Sequence, residues 1–223
     1  MLPVIYYHRV GRFREGAERK MNVTPDQFRR QMEYLRRRSY AFVTLDRILE
    51  DPKSKCAAIT FDDGYRDLLE HALPVLDELR IPATFFIVTG AVGAKDAWYR
   101  GEERVMDWSD IQELHKRGHA IGSHSITHPP LTRVPLADAR REIAESKKAL
   151  EDRLGVAIRH FAYPQGLNSA EVRDAVRDAG YVAGWATKSG DGSTFARRRF
   201  RVPADIGRVR FALKILKIRF GYY

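Results

Sequence analysis

Ala57-Ala58-Ile59-Thr60-Phe61-Asp62-Asp63-Gly64-Tyr65 is the stretch whose reading decides the fold. Small and apolar residues run straight into two adjacent carboxylates and a glycine. An apolar run closed by a turn signal reads as a buried strand ending at a loop. Two acids at a strand's end are costly to desolvate unless something positive stands beside them, and a metal ion is the simplest such partner. Neighbouring residues point in different directions, so Asp62 and Asp63 need not share one task. One can hold a metal while the other takes a proton.

The second stretch is Gly118-His119-Ala120-Ile121-Gly122-Ser123-His124-Ser125-Ile126-Thr127-His128-Pro129. His124 and His128 stand four apart, a spacing that on a helical turn puts both imidazoles on one face. One carboxylate oxygen and two imidazole nitrogens are a usual set for a catalytic zinc or other transition metal, with positions left open for water and substrate.

The remaining composition sets bounds. A chain of 223 residues with 44% hydrophobic content suits one domain, 1–223, with a sizeable core. No apolar run approaches the ~20 residues of a membrane span. Met1 to His8 carry no basic leader and no long apolar region, so no signal peptide is expected. With a single cysteine, Cys56, expected as a small buried residue, the cytoplasm is the expected location. The formal charge of +10 favours polyanions: nucleic acid, acidic glycans or an anionic membrane face. The basic runs are scattered and no nucleic-acid module is present, so nucleic acid is not expected as a partner.

The rhythm of the chain is strand, loop, helix. Strands are expected at Pro3–Tyr7, Ala41–Val43, Ala57–Phe61, Pro82–Val88, Ala120–Gly122, His160–Tyr163, Tyr181–Ala186 and Phe200–Val202. Thr24-Pro25-Asp26-Gln27 reads as a helix start, with a Thr cap, Pro at N1 and Gln at N3, leading to Arg38. Further helices are expected over Thr44–Leu49, Leu68–Leu79 (begun or kinked by Pro74), Asp107–Arg117, Pro135–Leu154, from an Asn168 or Ser169 cap to Ala179, and over Asp205–Phe220. Gly93 to Val105, with Trp98, Tyr99 and Arg100, suits a substrate-side loop. Hairpin signals are missing, which points to a parallel α/β fold and to a closed or nearly closed β/α barrel. Active sites of such barrels lie at the C-terminal ends of the strands. His8, Asp62, Asp63, His124, His128 and the Tyr163-Pro164-Gln165-Gly166 turn all fall at such ends. Dinucleotide and Walker fingerprints are missing.

Thr60-Phe61-Asp62-Asp63-Gly64, His124-Ser125-Ile126-Thr127-His128 and Phe161-Ala162-Tyr163-Pro164-Gln165-Gly166 together resemble the polysaccharide deacetylase family, also called the NodB homology domain or carbohydrate esterase family 4. Tyr7-His8-Arg9-Val10 and Pro82-Ala83-Thr84-Phe85-Phe86 are similar to it too, and the likeness spans roughly residues 3 to 187. The resemblance implies an α/β, TIM-barrel-like, distorted (β/α)7 barrel that removes N-acetyl groups from amino sugars. It implies that Asp63, His124 and His128 hold one divalent metal, Zn2+ first, with Co2+, Fe2+, Mn2+ or Ni2+ as alternatives. Asp62 would be the general base. Tyr163 would lend its backbone N–H to the oxyanion, and Tyr163, Pro164 and Gly166 would shape the groove, with Trp98 on the substrate side. The implied partner is an N-acetylated glycan or lipid-linked amino sugar of the cell envelope.

Two departures from the family pattern stand out. The family commonly has an arginine, orienting the catalytic aspartate, where this chain has Ala162; Arg199, in the Arg197–Arg201 segment, is the expected substitute and is grouped with the substrate-binding residues. The family's C-terminal Leu-x-His histidine is also missing, Leu216-Lys217-Ile218 being the nearest echo. His8 is the candidate to act as general acid, with the pKa range the task needs. His71, His115, His119 and His160 are read as structural.

In the last helix Val209, Ala212, Leu213, Leu216 and Phe220 can form one apolar stripe, with Arg208, Arg210, Lys214, Lys217 and Arg219 around it. It reads as a closing helix with a wet basic face, or as an attachment to the anionic inner face of a membrane. Alongside the deacetylase, two other functions stay open: a non-catalytic glycan- or membrane-surface-binding protein and a sugar O-acetyl esterase.

Overall fold

The computed structural model describes residues 2–11, 21–51, 55–99, 102–187, 189–203 and 206–221. Arg100 and Asp205, named above, lie outside the described residues. In chain order the strands and helices begin with β1 (Val4–Tyr7), β2 (Arg9–Val10), β3 (Asn22–Val23), α1 (Pro25–Arg37), β4 (Ala41–Phe42), α2 (Leu45–Glu50) and β5 (Cys56–Phe61). There follow α3 (Asp67–His71), α4 (Leu73–Leu79), β6 (Ala83–Ile87), α5 (Trp108–Lys116), β7 (Ala120–Ser123) and α6 (Leu136–Leu154). The chain closes with β8 (His160–Ala162), α7 (Ala170–Asp178), β9 (Ala183–Ala186), β10 (Arg197–Arg198), β11 (Phe200–Arg201) and α8 (Arg208–Phe220).

Local chemistry explains the boundaries. At α1 the Thr24 hydroxyl accepts from the Gln27 N–H while the Gln27 side chain accepts from the Thr24 N–H, both at 3.2 Å. This reciprocal cap satisfies two of the first-turn donors. Asp107 and Asp110 form the same arrangement at α5, and Ser169 caps α7. Pro74 stands at the start of α4, so the helix expected over Leu68–Leu79 is two helices that break at Ala72. The short strands β2, β3 and β10 were not expected, because two-residue pairings carry no periodicity.

The chain groups into two compact units. The first comprises Met1–Phe61, Asp67–Thr84 and Phe200–Tyr223. Its parallel strands run in the order β4-β5-β1-β11, with Ala41 opposite Cys56, Tyr7 opposite Phe61 and Ile5 opposite Phe200. Every residue of β5 is buried, Cys56 included, as an apolar parallel strand covered on both faces requires. Tyr7, Phe28 and Phe61 pack together with ring centroids 5.2 to 5.8 Å apart. α8 turns Phe211, Ile215 and Ile218 inward and rests on α1, where the Tyr34 and Phe211 rings meet edge to face. The stripe read from the sequence is the other one: Val209, Leu213, Leu216 and Phe220 are exposed.

The second unit comprises Asp62–Arg66 and Phe85–Arg199. The remainder of β6 leads into the order β6-β7-β8-β9-β10, in which Ser123 stands opposite Phe161, Ala162 opposite Trp185 and Trp185 opposite Arg197. The recorded strand pairings are parallel and the strands alternate with helices, which is the α/β class expected.

Candidate active site

Asp62 and Asp63 leave the end of β5 and are both buried. Asp63 has φ +71° and Gly64 φ +69°, two left-handed residues in succession. A side chain at position 64 would start 3.0 Å from Ile87 Cδ1, so glycine fits both the turn and the packing. A non-glycine residue held at positive φ costs on the order of 1 kcal/mol, the kind of strain that clusters at functional sites. The turn sends the two carboxylates to different partners.

Asp63 meets His124 and His128. Each imidazole Nε2 lies 3.4 Å from Asp63 Oδ1, and one ligand atom from each of the three residues lies within 4.8 Å of the others. His124 Nδ1 stands 2.7 Å from the Ala162 carbonyl. A carbonyl only accepts, so Nδ1 carries the proton and the Nε2 lone pair faces Asp63. Burial alone would lower the His124 pKa, but the Asp63 and Asp62 carboxylates outweigh it and hold it above its ordinary value. A carboxylate oxygen and two imidazole nitrogens converge on one point with little exposure to solvent. The donor set therefore fits a divalent metal ion.

The two histidines do not share a helical turn, as the spacing suggested. His124 follows β7, and residues 124–128 form a loop in which Ser125 has φ +68° and His128 φ +61°. What shapes this loop is Glu142 of α6, which sequence reasoning missed. Its carboxylate accepts from the Ile126 N–H at 2.7 Å, the Thr127 N–H at 2.8 Å and the Thr127 hydroxyl at 2.7 Å. Ser125 Oγ accepts from the His128 N–H, Ser123 Oγ accepts from the Ser125 N–H, and Ser123 in turn touches Ser146 of α6. The available signal was an acid on the inner face of α6, beside the buried Ala139, Ile143 and Ser146.

Asp62 meets Arg199. Nη1 donates to Oδ1 at 2.5 Å and Nη2 to Oδ2 at 2.8 Å. The Arg199 side chain is 0% exposed and that of Asp62 5%. The Arg199 N–H donates to the Ala186 carbonyl at 2.9 Å, and the guanidinium lies 5.0 Å from the Phe86 ring centroid. Forked, desolvated pairs of this kind fix direction as well as charge. Grouping Arg199 with substrate-binding residues is corrected by its burial: it faces Asp62.

Tyr163 also needs correction. Its backbone N–H donates to the Trp185 carbonyl at 3.1 Å, so it is not available to an oxyanion. Its ring is buried and its hydroxyl donates to the Phe195 carbonyl at 2.6 Å, which gives it a structural place. Burial pushes the phenol pKa up, so it stays neutral. In the next turn Pro164 and Gly166 are buried while Gln165, between them, is exposed with φ +58°. The Gly166 N–H is committed to the Tyr163 carbonyl. Gly166 has φ +70°, and a Cβ there would start 1.8 Å from Thr187 Oγ1.

Trp98 lies with its ring tilted against His128, centroids 5.0 Å apart, and packs on Val88, Ala91 and Val105. Its buried Nε1–H has no acceptor among the described residues. His8 belongs to the first unit, where its ring meets Tyr6 edge-on. His119 packs against Phe85, and His160 Nδ1 accepts from Trp185 Nε1. No helix among the described residues is long and apolar enough to cross a membrane.

The family model of polysaccharide deacetylases matches residues 50–184, more than half of the chain. The chain is 29% identical over 211 residues to the candidate polysaccharide deacetylase YxkH of Bacillus subtilis, covering 90% of this chain and 71% of that protein. It is 26% identical to the poly-beta-1,6-N-acetyl-D-glucosamine N-deacetylase of Staphylococcus aureus, covering 74% of this chain and only 61% of that enzyme. Among solved structures, the Streptococcus pyogenes deacetylase PplD superposes with a TM-score of 0.83 at 21% identity, over 96% of this chain and 97% of that one. The expected fold class, a TIM-barrel-like, distorted (β/α)7 barrel, is borne out by that likeness together with the parallel strand–helix alternation. With the family model covering this much of it, the chain belongs to the polysaccharide deacetylase family.

Proposed function

We propose that this protein is a metal-dependent hydrolase that removes N-acetyl groups from an amino-sugar glycan or lipid-linked amino sugar in cell-envelope metabolism. The observation that carries the reading is the division of labour between adjacent acids: Asp63 with His124 and His128 on one side, Asp62 with Arg199 on the other. Relatives that deacetylate N-acetylglucosamine polymers support the substrate class.

In this reading Asp63, His124 and His128 hold one divalent ion, Zn2+ by the nature of the donor set. Such an ion, when bound, polarises an acyl oxygen and acidifies water. Asp62 takes the proton from the attacking water. Arg199 keeps that carboxylate ionised and aimed, the task left vacant at Ala162. Within the Tyr163–Gly166 turn, the Gln165 N–H is the donor left for the developing oxyanion. Trp98, beside His128, offers the partly exposed part of its ring to the sugar. His8 gives the proton to the departing amine; β1 and β5 end level, with Tyr7 opposite Phe61, which supports its placement at the strand ends.

The same proposal treats residues 1–223 as one catalytic domain, cytoplasmic, meeting the inner membrane face through α8, whose five cations and lack of acids support that contact. The test is acetate release from N-acetylglucosamine oligomers, lipid-linked amino sugars and O-acetyl sugars side by side. Release from the N-acetyl substrates, absent in Asp62→Asn, supports the reading. Release from O-acetyl sugars alone would make the protein an esterase, and glycan binding without turnover would make it a binding protein.

A further inference from the structure

Residues 93–96 and 103–106 run antiparallel as the two arms of a ribbon within the second unit. The arms are joined by hydrogen bonds from the Gly93 N–H to the Met106 carbonyl, from the Val105 N–H to the Ala94 carbonyl and from the Asp96 N–H to the Glu103 carbonyl, each at 2.9 Å. The ribbon is fastened to both halves of the candidate site. Towards the two acids, the Met106 N–H donates to the Gly64 carbonyl and the Arg66 N–H to the Arg104 carbonyl, both at 2.9 Å. Towards the histidine loop, the turn that leads into the ribbon donates from the Thr89 N–H to the Ser125 carbonyl at 3.1 Å and from the Gly90 N–H to the Ile126 carbonyl at 2.9 Å. A Cβ at position 90 would start 2.7 Å from the Ile126 carbonyl oxygen, so this approach needs glycine.

The side chains repeat this pattern. Asp96 is buried, 1% exposed. Its Oδ2 accepts from the Tyr65 hydroxyl and its Oδ1 from the Glu103 N–H, both at 3.2 Å. Tyr65, itself buried, stands two residues after Asp63. Two residues beyond Asp96, the Trp98 ring rests against His128, with its centroid 6.4 Å from that of Tyr65. No hydrogen bond of its own holds Trp98 there: its buried Nε1–H has no acceptor among the described residues. A donor in that state gains by moving out to water. The ring's place therefore depends on its packing against Val88, Ala91 and Val105 and on what fixes the ribbon. Asp96 fixes it, because one carboxyl group joins the two arms and ties them to the turn that carries Asp62 and Asp63.

We propose that Asp96 is a positioning residue for sugar recognition. By tying Tyr65 to the Glu103 arm it holds the Trp98 ring against His128, where the exposed part of the ring meets an amino sugar beside the metal ligands. Asp96 is too buried to touch the sugar and acts through Trp98. The inference deepens the sugar contact given to Trp98 above and rests on that reading for the class of glycan.

The test uses the full chain carrying Asp62→Asn, so that binding of N-acetylglucosamine oligomers is read by calorimetry without turnover. Adding Asp96→Ala should weaken binding by about tenfold, as Trp98→Ala does. Asp96→Ala and Trp98→Ala together should bind no more weakly than Trp98→Ala alone, because the one acts through the other. Asp96→Asn, whose amide can accept from Glu103 and donate to Tyr65, should bind like the parent. Without any ligand, the Trp98 emission, taken as the difference between each protein and its Trp98→Phe counterpart, should shift to the red in Asp96→Ala and stay in place in Asp96→Asn. Circular dichroism checks folding; if Asp96→Ala does not fold, Tyr65→Phe, which removes one of the two hydrogen bonds, carries the same test with a smaller effect.

Additive losses in the double variant, or unchanged Trp98 emission in Asp96→Ala, would overturn the proposal. A fall in zinc affinity as large as the fall in glycan affinity would make Asp96 a support of the metal ligands and overturn it too. Failure of the Asp62→Asn protein to bind any oligomer would overturn the sugar contact. Oligomer binding without acetate release by the parent protein would count against the deacetylase reading alone and leave this proposal standing.

Discussion

Arg199 and Asp62 stand 137 positions apart in sequence and meet through two hydrogen bonds, the guanidinium fully buried and the carboxylate nearly so. Removing the guanidinium leaves a buried carboxylate without its counter-charge. Arg199→Ala is therefore expected to cost about 3–5 kcal/mol of stability, read by urea unfolding. Arg199→Lys keeps the charge but not the fork, and should cost less in stability while still lowering kcat by about tenfold or more. A full-rate Arg199→Lys protein would show that aiming Asp62 is not what Arg199 does.

Glu142 gathers three donors of the 124–128 loop and touches neither histidine ring in doing so. Glu142→Ala should lower zinc affinity by about 10–100-fold, as loss of a group that orients metal ligands does. Competition against a chromophoric chelator measures this. Glu142→Gln retains one acceptor oxygen and should fall between the two. Unchanged affinity in both would confine Glu142 to folding.

Gly166→Ala meets two obstacles at once, a φ of +70° and a Thr187 hydroxyl 1.8 Å from the new Cβ. A loss of about 2 kcal/mol or more is expected in thermal or urea unfolding. Adding Thr187→Gly should recover the steric part and leave the backbone part, about 1 kcal/mol.

Glu151 bears on acid stability. Burial alone would raise its pKa, but the Lys147 ammonium and the Ile158 N–H outweigh burial and hold it below its ordinary 4.5. A depressed folded-state pKa gives stabilisation that is complete above the unfolded value and lost as pH falls through the lowered one. Glu151→Gln should accordingly lower Tm slightly at neutral pH and flatten its decline below about pH 4.5. Parallel Tm–pH curves for the two proteins would rule the contribution out.

Much of the fold was legible because its signals are local. Thr24 and Gln27 announce α1 by chemistry that needs no tertiary partner, and the apolar run to Phe61 can only be a buried element. The residues of the site were legible as types, while their partners depended on packing. Asp62 could be marked as a base candidate, but its guanidinium is one of three consecutive arginines, and only the register of β10 on β9 singles out Arg199. Nothing along the chain links Glu142 to the histidine loop, and nothing local shows that Trp185 occupies the Tyr163 N–H. In α8, Phe211/Ile215/Ile218 and Val209/Leu213/Leu216/Phe220 both recur at helical spacing. Periodicity cannot choose between them; contact with Tyr34 does.

The most direct test of the central claim is to strip the protein of metal and follow acetate release from N-acetylglucosamine oligomers as zinc is returned, with the Asp62→Asn and His128→Ala proteins beside it. Release is expected to rise until one zinc per chain is bound. Asp62→Asn should bind that zinc yet release almost no acetate, and His128→Ala should bind it weakly, with the rate following occupancy. Acetate release indifferent to zinc, or an Asp62→Asn protein as fast as the parent, would contradict the division of labour between the two aspartates.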